Sequence, residues 1–218
     1  LVLLALVLIV SSPSTGSIFQ KGVSTLVSAD TWEELDSRPL PVWYDEAKFG
    51  IFLHWGFFSV PAFGNEWFQE HWQGPKWADY IEFVEKTEKP GFAYQDYAAR
   101  FTADLYKPND WANIFANAGA QYVVLTSKHH EGFCNWNSSQ TVPATYQWNA
   151  ADVGPRRDLL GDLQTAVKHV DSPMTGAKLK FGVYHSLLEF FHPLYQQDKA
   201  NNFATQHFID KPLSELYD

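Results

Sequence analysis

Two adjacent histidines between a lysine and a glutamate, Ser127-Lys128-His129-His130-Glu131-Gly132-Phe133, follow directly on the apolar run Tyr122-Val123-Val124-Leu125. Such groups are costly at the end of a buried strand, because a buried polar group left without a partner loses about 1–3 kcal/mol. The arrangement recurs. Phe49-Gly50-Ile51-Phe52-Leu53 ends in His54-Trp55-Gly56, and the apolar residues 179–183 end in Tyr184-His185-Ser186. An aromatic stretch after the first run carries Asn65-Glu66-Trp67-Phe68. Gathered around one pocket, His54, Glu66, Trp67, His129, His130 and Tyr184 suit a polyhydroxylated ligand. Imidazoles donate or accept, a carboxylate accepts from two hydroxyls, and an indole packs on the apolar edge of a sugar. The bland alternative makes each histidine a satisfied core residue; repetition at three strand ends favours a site.

A metal centre is the competing chemistry. His54, His129, His130 and His185, with Glu131, offer nitrogen and oxygen ligands for zinc. Adjacent residues on a strand point to opposite faces, so His129 and His130 cannot easily share one ion. No His-x-His or His-Glu-x-x-His spacing occurs either, and neither a metal nor a cofactor is expected. Glycoside hydrolysis would need two carboxylates flanking the scissile bond. Glu66 is the one best placed by its aromatic neighbours. Glu131 and Glu189 follow strand ends, and Asp152, Asp158 and Asp162 read as capping or solvated groups of a helix near 158. Pattern alone demonstrates no carboxylate pair.

The elements that must position these residues are short strands alternating with helices. Strands are expected near 49–53, 121–125 and 179–183. Helical spacing occupies 77–87, 110–118 (capped by Asn109 or Asp110 and ended by Gly119) and 158–170, where Leu159, Leu160, Leu163 and Val167 share a side. Residues 203–218 also look helical, with Pro212 interrupting, after a loop reaching about 202. The alternation implies parallel βα units. In barrels of parallel strands the site is built at the C-terminal strand ends, where all three polar clusters fall. Residues 134–157 form a long irregular segment that reads as a functional loop. Three such strands leave an open edge with unpaired backbone groups.

Composition excludes several classes. The 218 residues are 45% hydrophobic and 19% charged, enough to bury a sizeable core. A formal net charge of -9 and the lack of any basic run argue against nucleic acid or an anionic membrane as partner. The aromatic share of 17%, with nine tryptophans, fits either a large aromatic core or a sugar site. Residues 1–10 are uniformly apolar and 11–17 small and polar, the pattern of a secretory signal peptide over 1–17, too short to span a bilayer. The chain opens on Leu1 with no charged region before it, so an incomplete N-terminus is expected. A polar leader follows over 18–37. Asn137-Ser138-Ser139 is a glycosylation sequon that fits the secretory route. The lone Cys134 reads as a free buried thiol.

The runs at 49–56, 128–133 and 181–186, with Glu66-Trp67, resemble the animal lysosomal or tissue-type α-L-fucosidases. The resemblance covers 38–218 and includes Ser37-Arg38-Pro39-Leu40-Pro41, Asp152-Val153-Gly154-Pro155 and Thr205-Gln206-His207-Phe208. It implies a retaining exo-glycosidase, without cofactor, that removes α-L-fucose from glycoprotein and glycolipid glycans in the lysosome or outside the cell. It further implies an α/β fold, an incomplete (β/α)8 TIM-like barrel of roughly the first three βα units, with a β-sandwich beyond it. By the same resemblance His54, Glu66, Trp67, His129, His130 and Tyr184 line the fucose pocket, and homo-oligomers are common. The family's nucleophilic aspartate lies in a Trp-x-Asp-Gly motif on the fourth strand; these 218 residues contain no such motif. The acid/base residue of the family lies further on, so both groups are expected C-terminal to Asp218. A whole barrel takes about 250 residues. The chain is therefore expected to be an N-terminal piece that holds fucose without cleaving it. The alternative is a non-catalytic fucose-binding protein.

Overall fold

The computed structural model of the chain describes residues 6–9, 31–138 and 148–209. The sheet has the order β1-β4-β3-β2, where β1 is Leu6–Ile9, β2 Gly50–Leu53, β3 Tyr122–Lys128 and β4 Lys180–His185. β2 pairs parallel with β3, and β3 with β4, as the alternation of elements requires. β1, within the expected signal segment, runs antiparallel to β4, with Leu6 opposite His185 and Ile9 opposite Gly182, so the β4 side is paired there while β2 remains an edge strand among the described residues. The rest of the expected signal segment, and most of the leader, lie outside the described residues.

Seven helices surround the sheet among the described residues: α1 Trp32–Asp36, α2 Val42–Ala47, α3 Phe68–Gln73, α4 Ala78–Thr87, α5 Pro108–Asn117, α6 Leu159–His169 and α7 Pro193–Ala200. Alternation of side chains along each strand gives the sheet two different faces. On one, Val123, Leu125 and Phe181, backed by Ile51, Leu53 and Val183, pack on Ala112, Phe115 and Ala116 of α5 and Leu159, Leu163, Ala166 and Val167 of α6. The other carries Gly50, Phe52, Tyr122, Val124, Lys180 and Gly182; Trp43 and Tyr44 of α2 pack on Tyr122 there, beside a cavity of about 470 Å³ lined by both. Phe52 is 54% exposed there, and the sheet does not close on itself.

Much of the aromatic content is core. Fully buried Phe57, in a 3₁₀ turn at Phe57–Ser59, stacks on Phe133 at 4.7 Å and meets Trp148 and Tyr94 edge-on at 4.7 and 5.1 Å. The described ends of the 134–157 segment are stitched into this core rather than free. Cys134 and Trp148 pair through their backbones, and the Asn135 amide donates to the Thr126 and Trp55 carbonyls at 2.9 and 3.1 Å.

Helix termini follow local chemistry. α5 begins two residues before its expected start at 110, with Pro108 in the first turn where a missing N–H costs nothing, so Asn109 and Asp110 lie inside it rather than capping it. Its end matches expectation. Gly119 has φ +92°, and the amides of Gly119 and Ala120 return to the carbonyls of Ala116 and Phe115. At α6 the Asp158 carboxylate accepts from the Gly161 amide at 2.7 Å, and Asp162 pairs with Arg157 at 2.6 Å. Asp158→Ala should lower stability by about 1 kcal/mol, seen as a lower urea midpoint at unchanged slope; an unchanged midpoint would show that the cap contributes nothing.

Two expectations need correction. The loop predicted to reach 202 contains α7, and the described part of the segment predicted as helix, 203–209, is a series of turns. Buried Asp198 is the cause. Its carboxylate accepts from the Thr205 hydroxyl at 2.6 Å and from the His207 and Phe208 amides at 3.1 and 2.9 Å. Those amides are thereby withdrawn from any helical ladder. The remainder of that expected helix, through Asp218, lies outside the described residues.

Candidate functional site

A β-bulge decides which histidine enters the site. β3 and β4 stay in register from Tyr122 opposite Lys180 to Thr126 opposite Tyr184; Lys128 then falls opposite His185, which leaves Ser127 as an extra residue. An extra residue shifts the alternation by one, so His129 takes the same face as Phe52 and Tyr184. The strand is also longer than its apolar run, since Thr126, Ser127 and Lys128 belong to it. The Ser127 hydroxyl holds the bulge by donating to the Tyr184 carbonyl at 2.8 Å.

All six residues singled out in the sequence come together. The rings of His54 and His129 lie 5.6 Å apart, with Tyr184 at 4.9 Å from the first and 5.8 Å from the second. Trp67 stands edge-on to His129 at 5.1 Å and nearly parallel to His130 at 5.0 Å. Polar atoms of His54, Glu66 and His129 fall within 4.8 Å of one another. The inner cleft, bordered by Glu66, Trp67, His129, His130, Glu131 and Phe190, encloses only about 10 Å³, room for one water. His54, outside this cleft, is exposed.

The two histidines of the motif are held differently. His130 Nδ1 lies 2.8 Å from the Leu188 carbonyl, which can only accept, so Nδ1 carries the proton of the neutral ring. The ring stacks flat on Phe190 at 4.4 Å. Burial drives its pKa down to about 4 against the pull of that carbonyl, with His129 and Lys128 adding to the fall. His129 Nδ1 instead lies 3.5 Å from Glu131 Oε2, behind the site. His54 is also lowered, by burial first and His129 second, with Glu66 opposing.

Several other groups are accounted for. Lys128 and Glu189 form an ion pair whose side chains are 1% and 3% exposed, which takes Glu189 out of the free carboxylates. A lysine closing an apolar strand was the sequence signal for a buried counter-charge, and it was not read that way. Phe58, Phe190 and Ser186 were also missed; Phe58 is 5.5 Å from His129, and the Ser186 hydroxyl donates to the Tyr184 hydroxyl at 3.1 Å. The zinc set read from the sequence does not assemble. His130 is engaged with Leu188, while His185 pairs with Ser127 at 3.0 Å and faces Trp136. Burial raises the Cys134 thiol to about 12, as a free buried thiol requires. Asn137 is half-buried, and its sequon ends at a residue outside the described set. The expectation of catalytic carboxylates C-terminal to Asp218 concerns positions outside the described residues, where Asp218 itself also lies.

An α/β chain with imidazoles, a carboxylate and stacked aromatics at the C-terminal ends of parallel strands has the site composition of a carbohydrate-processing protein. Comparison with known proteins names the kind. The family profile described as Alpha-L-fucosidase matches residues 19–218, and the chain belongs to that family. It is 55% identical over 188 residues to tissue alpha-L-fucosidase of Mus musculus and 54% to that of Homo sapiens, covering 86% of this chain in each case. The chain spans 39% and 38% of those two relatives. Among solved structures it resembles Thermotoga maritima alpha-fucosidase, with a TM-score of 0.66 at 35% identity over 83% of this chain and 43% of that one. The same enzyme in complex with fucose gives a TM-score of 0.65 at 34% identity, over 83% and 44%. Its relatives are glycoside hydrolases.

Proposed function

We propose that the chain is part of an enzyme that hydrolyses terminal α-L-fucose from glycoprotein and glycolipid glycans with retention, and that the described part holds the sugar. The convergence of His54, Glu66, Trp67, His129, His130 and Tyr184 at three strand ends carries this reading. Glu66 would accept from sugar hydroxyls, the neutral imidazoles of His54 and His130 would donate or accept, and Trp67 would pack on an apolar edge. The nucleophile and acid/base are assigned to residues C-terminal to Asp218, since none of these 218 forms a Trp-x-Asp-Gly motif. Three parallel strands with α5 and α6 packed on one face support the reading of an incomplete (β/α)8 wall over 38–218, with the face bearing Phe52 and Val124 turned to its interior. The relatives named tissue and plasma fucosidases favour a lysosomal or secreted address, in line with a signal peptide at 1–17 and a glycan on Asn137.

The test uses the 218-residue chain. L-Fucose should change its tryptophan fluorescence, Trp67→Ala should remove most of the change, and an aryl α-L-fucoside should stay intact. A missing response to L-fucose would overturn the sugar site. Sustained turnover of the aryl fucoside would overturn the division between holding and cleaving.

A further inference from the structure

Among the described residues, one group of three side chains has the donor set and spacing of a metal site: His54, Glu66 and His129. Two imidazoles and a carboxylate are a donor set that zinc takes in three-ligand sites with an open fourth position. Zinc bonds of about 2.0–2.2 Å place tetrahedral ligand atoms roughly 3.3–3.5 Å apart. The three donors already lie within 4.8 Å of one another, so closure needs a shift of little more than about 1 Å. The means for that shift is present. His54 is exposed just past the end of β2, and Glu66 is half-buried just ahead of α3, so both side chains can turn inward, while His129 is 3% exposed and fixed.

A second observation points the same way. Glu131, its side chain 4% exposed, points Oε2 at His129 Nδ1 from 3.5 Å, and that buried oxygen has no hydrogen-bond partner. Drawn slightly closer, such a carboxylate would accept from Nδ1–H and raise the basicity of the opposite nitrogen, the arrangement that supports metal-binding histidines. With Nδ1 facing Glu131, Nε2 of His129 is the atom left for an ion. His130 stays out of the set, because its Nδ1 is committed to Leu188 and its ring lies on Phe190.

We propose that His54, Glu66 and His129 bind a divalent transition cation, with zinc the best fit, in the space assigned above to the sugar. The ion is an inhibitory occupant, and sugar and ion exclude each other. This proposal shares its residues with the sugar reading but does not depend on it for its first test. Zinc titrated into the 218-residue chain, followed by calorimetry, should bind at one site. His54→Ala and Glu66→Gln should each weaken binding at least the roughly tenfold that follows loss of a supporting partner, whereas His169→Ala, on the exposed end of α6, should not. Circular dichroism matching the parent chain would show that the variants fold. Binding unchanged in His54→Ala, or none in the parent, overturns the site. Release of zinc by L-fucose supports mutual exclusion; joint occupancy at sugar concentrations that alter tryptophan fluorescence overturns it. If zinc binds with the expected variant pattern but L-fucose never alters the fluorescence, the metal site stands and only the sugar reading falls.

Discussion

Replacing Lys128 by methionine is expected to cost about 3–5 kcal/mol of folding stability, the usual result of stranding one member of a buried ion pair. Its ammonium meets the Glu189 carboxylate where both side chains are almost wholly inaccessible. Removing the lysine leaves a carboxylate in a site that gives it little hydration. With total stabilities of about 5–15 kcal/mol for a domain, such a loss is a large share of the whole. The double variant Lys128→Met, Glu189→Leu should regain most of it, because an apolar pair of similar volume avoids the desolvation penalty altogether. Urea unfolding of the parent, the single and the double variants provides the measurement. A single variant within about 1 kcal/mol of the parent would show that the pair is not held as described. The pair also has a functional reach. It ties the end of β3 to the segment after β4, whose Leu188 carbonyl and Phe190 ring fix His130. The single variant should therefore loosen the sugar response as well as the fold.

The second large effect is set by pH. Burial holds His130 and His185 at about 4, against 6.5 for an unconstrained histidine. The unfolded chain therefore takes up protons first. Stability is fully present above pH 6.5, falls as pH drops toward 4 and levels off below. Each group contributes a slope of about 1.4 kcal/mol per pH unit in that window, or on the order of 2 kcal/mol each by pH 5. Melting temperatures measured between pH 7.5 and 4.5 should fall accordingly, and His185→Gln should flatten part of the slope. A melting temperature constant over that range would refute the assignment of both as buried neutral rings. A lysosomal address would place the chain on the falling part of this curve. A ligand bound in the pocket would offset the loss in proportion to its occupancy.

How far the sequence could be read depended on the range of the forces involved. The three strands were visible because short apolar runs ending in polar residues mark both the buried strand and its C-terminal end. α6 was visible because Leu159, Leu163 and Val167 repeat at helical spacing, and all three are buried against the sheet. What stayed hidden was mostly non-local. Asp198 draws the amides of His207 and Phe208 into turns across nine and ten residues. Glu189 finds Lys128 across 61. Lys128 at the end of an apolar strand signals that a counter-charge exists, but no local pattern names the partner in either contact. The site residues were legible for a different reason. Their types were out of place at strand ends, and that incongruity does not depend on knowing the distances. Glu66, marked in the sequence by its aromatic neighbours, stands beside His54 and His129, whereas the position of Glu131 beside His129 Nδ1 was not legible.

The extra residue at Ser127 makes the site depend on counting rather than on chemical type. Side chains along a strand obey parity, and the bulge changes the parity of everything after it. A relative could exchange Val123 for isoleucine, or Thr126 for valine, and still present the same imidazole. Removing one residue between Tyr122 and Ser127 while the bulge persists would present the neighbour of His129 instead, with every side chain chemically intact. Alignments across this strand are therefore informative in their gaps first and in their letters second. A reshaped pocket can arise here by a single-codon deletion that no substitution table would score as drastic.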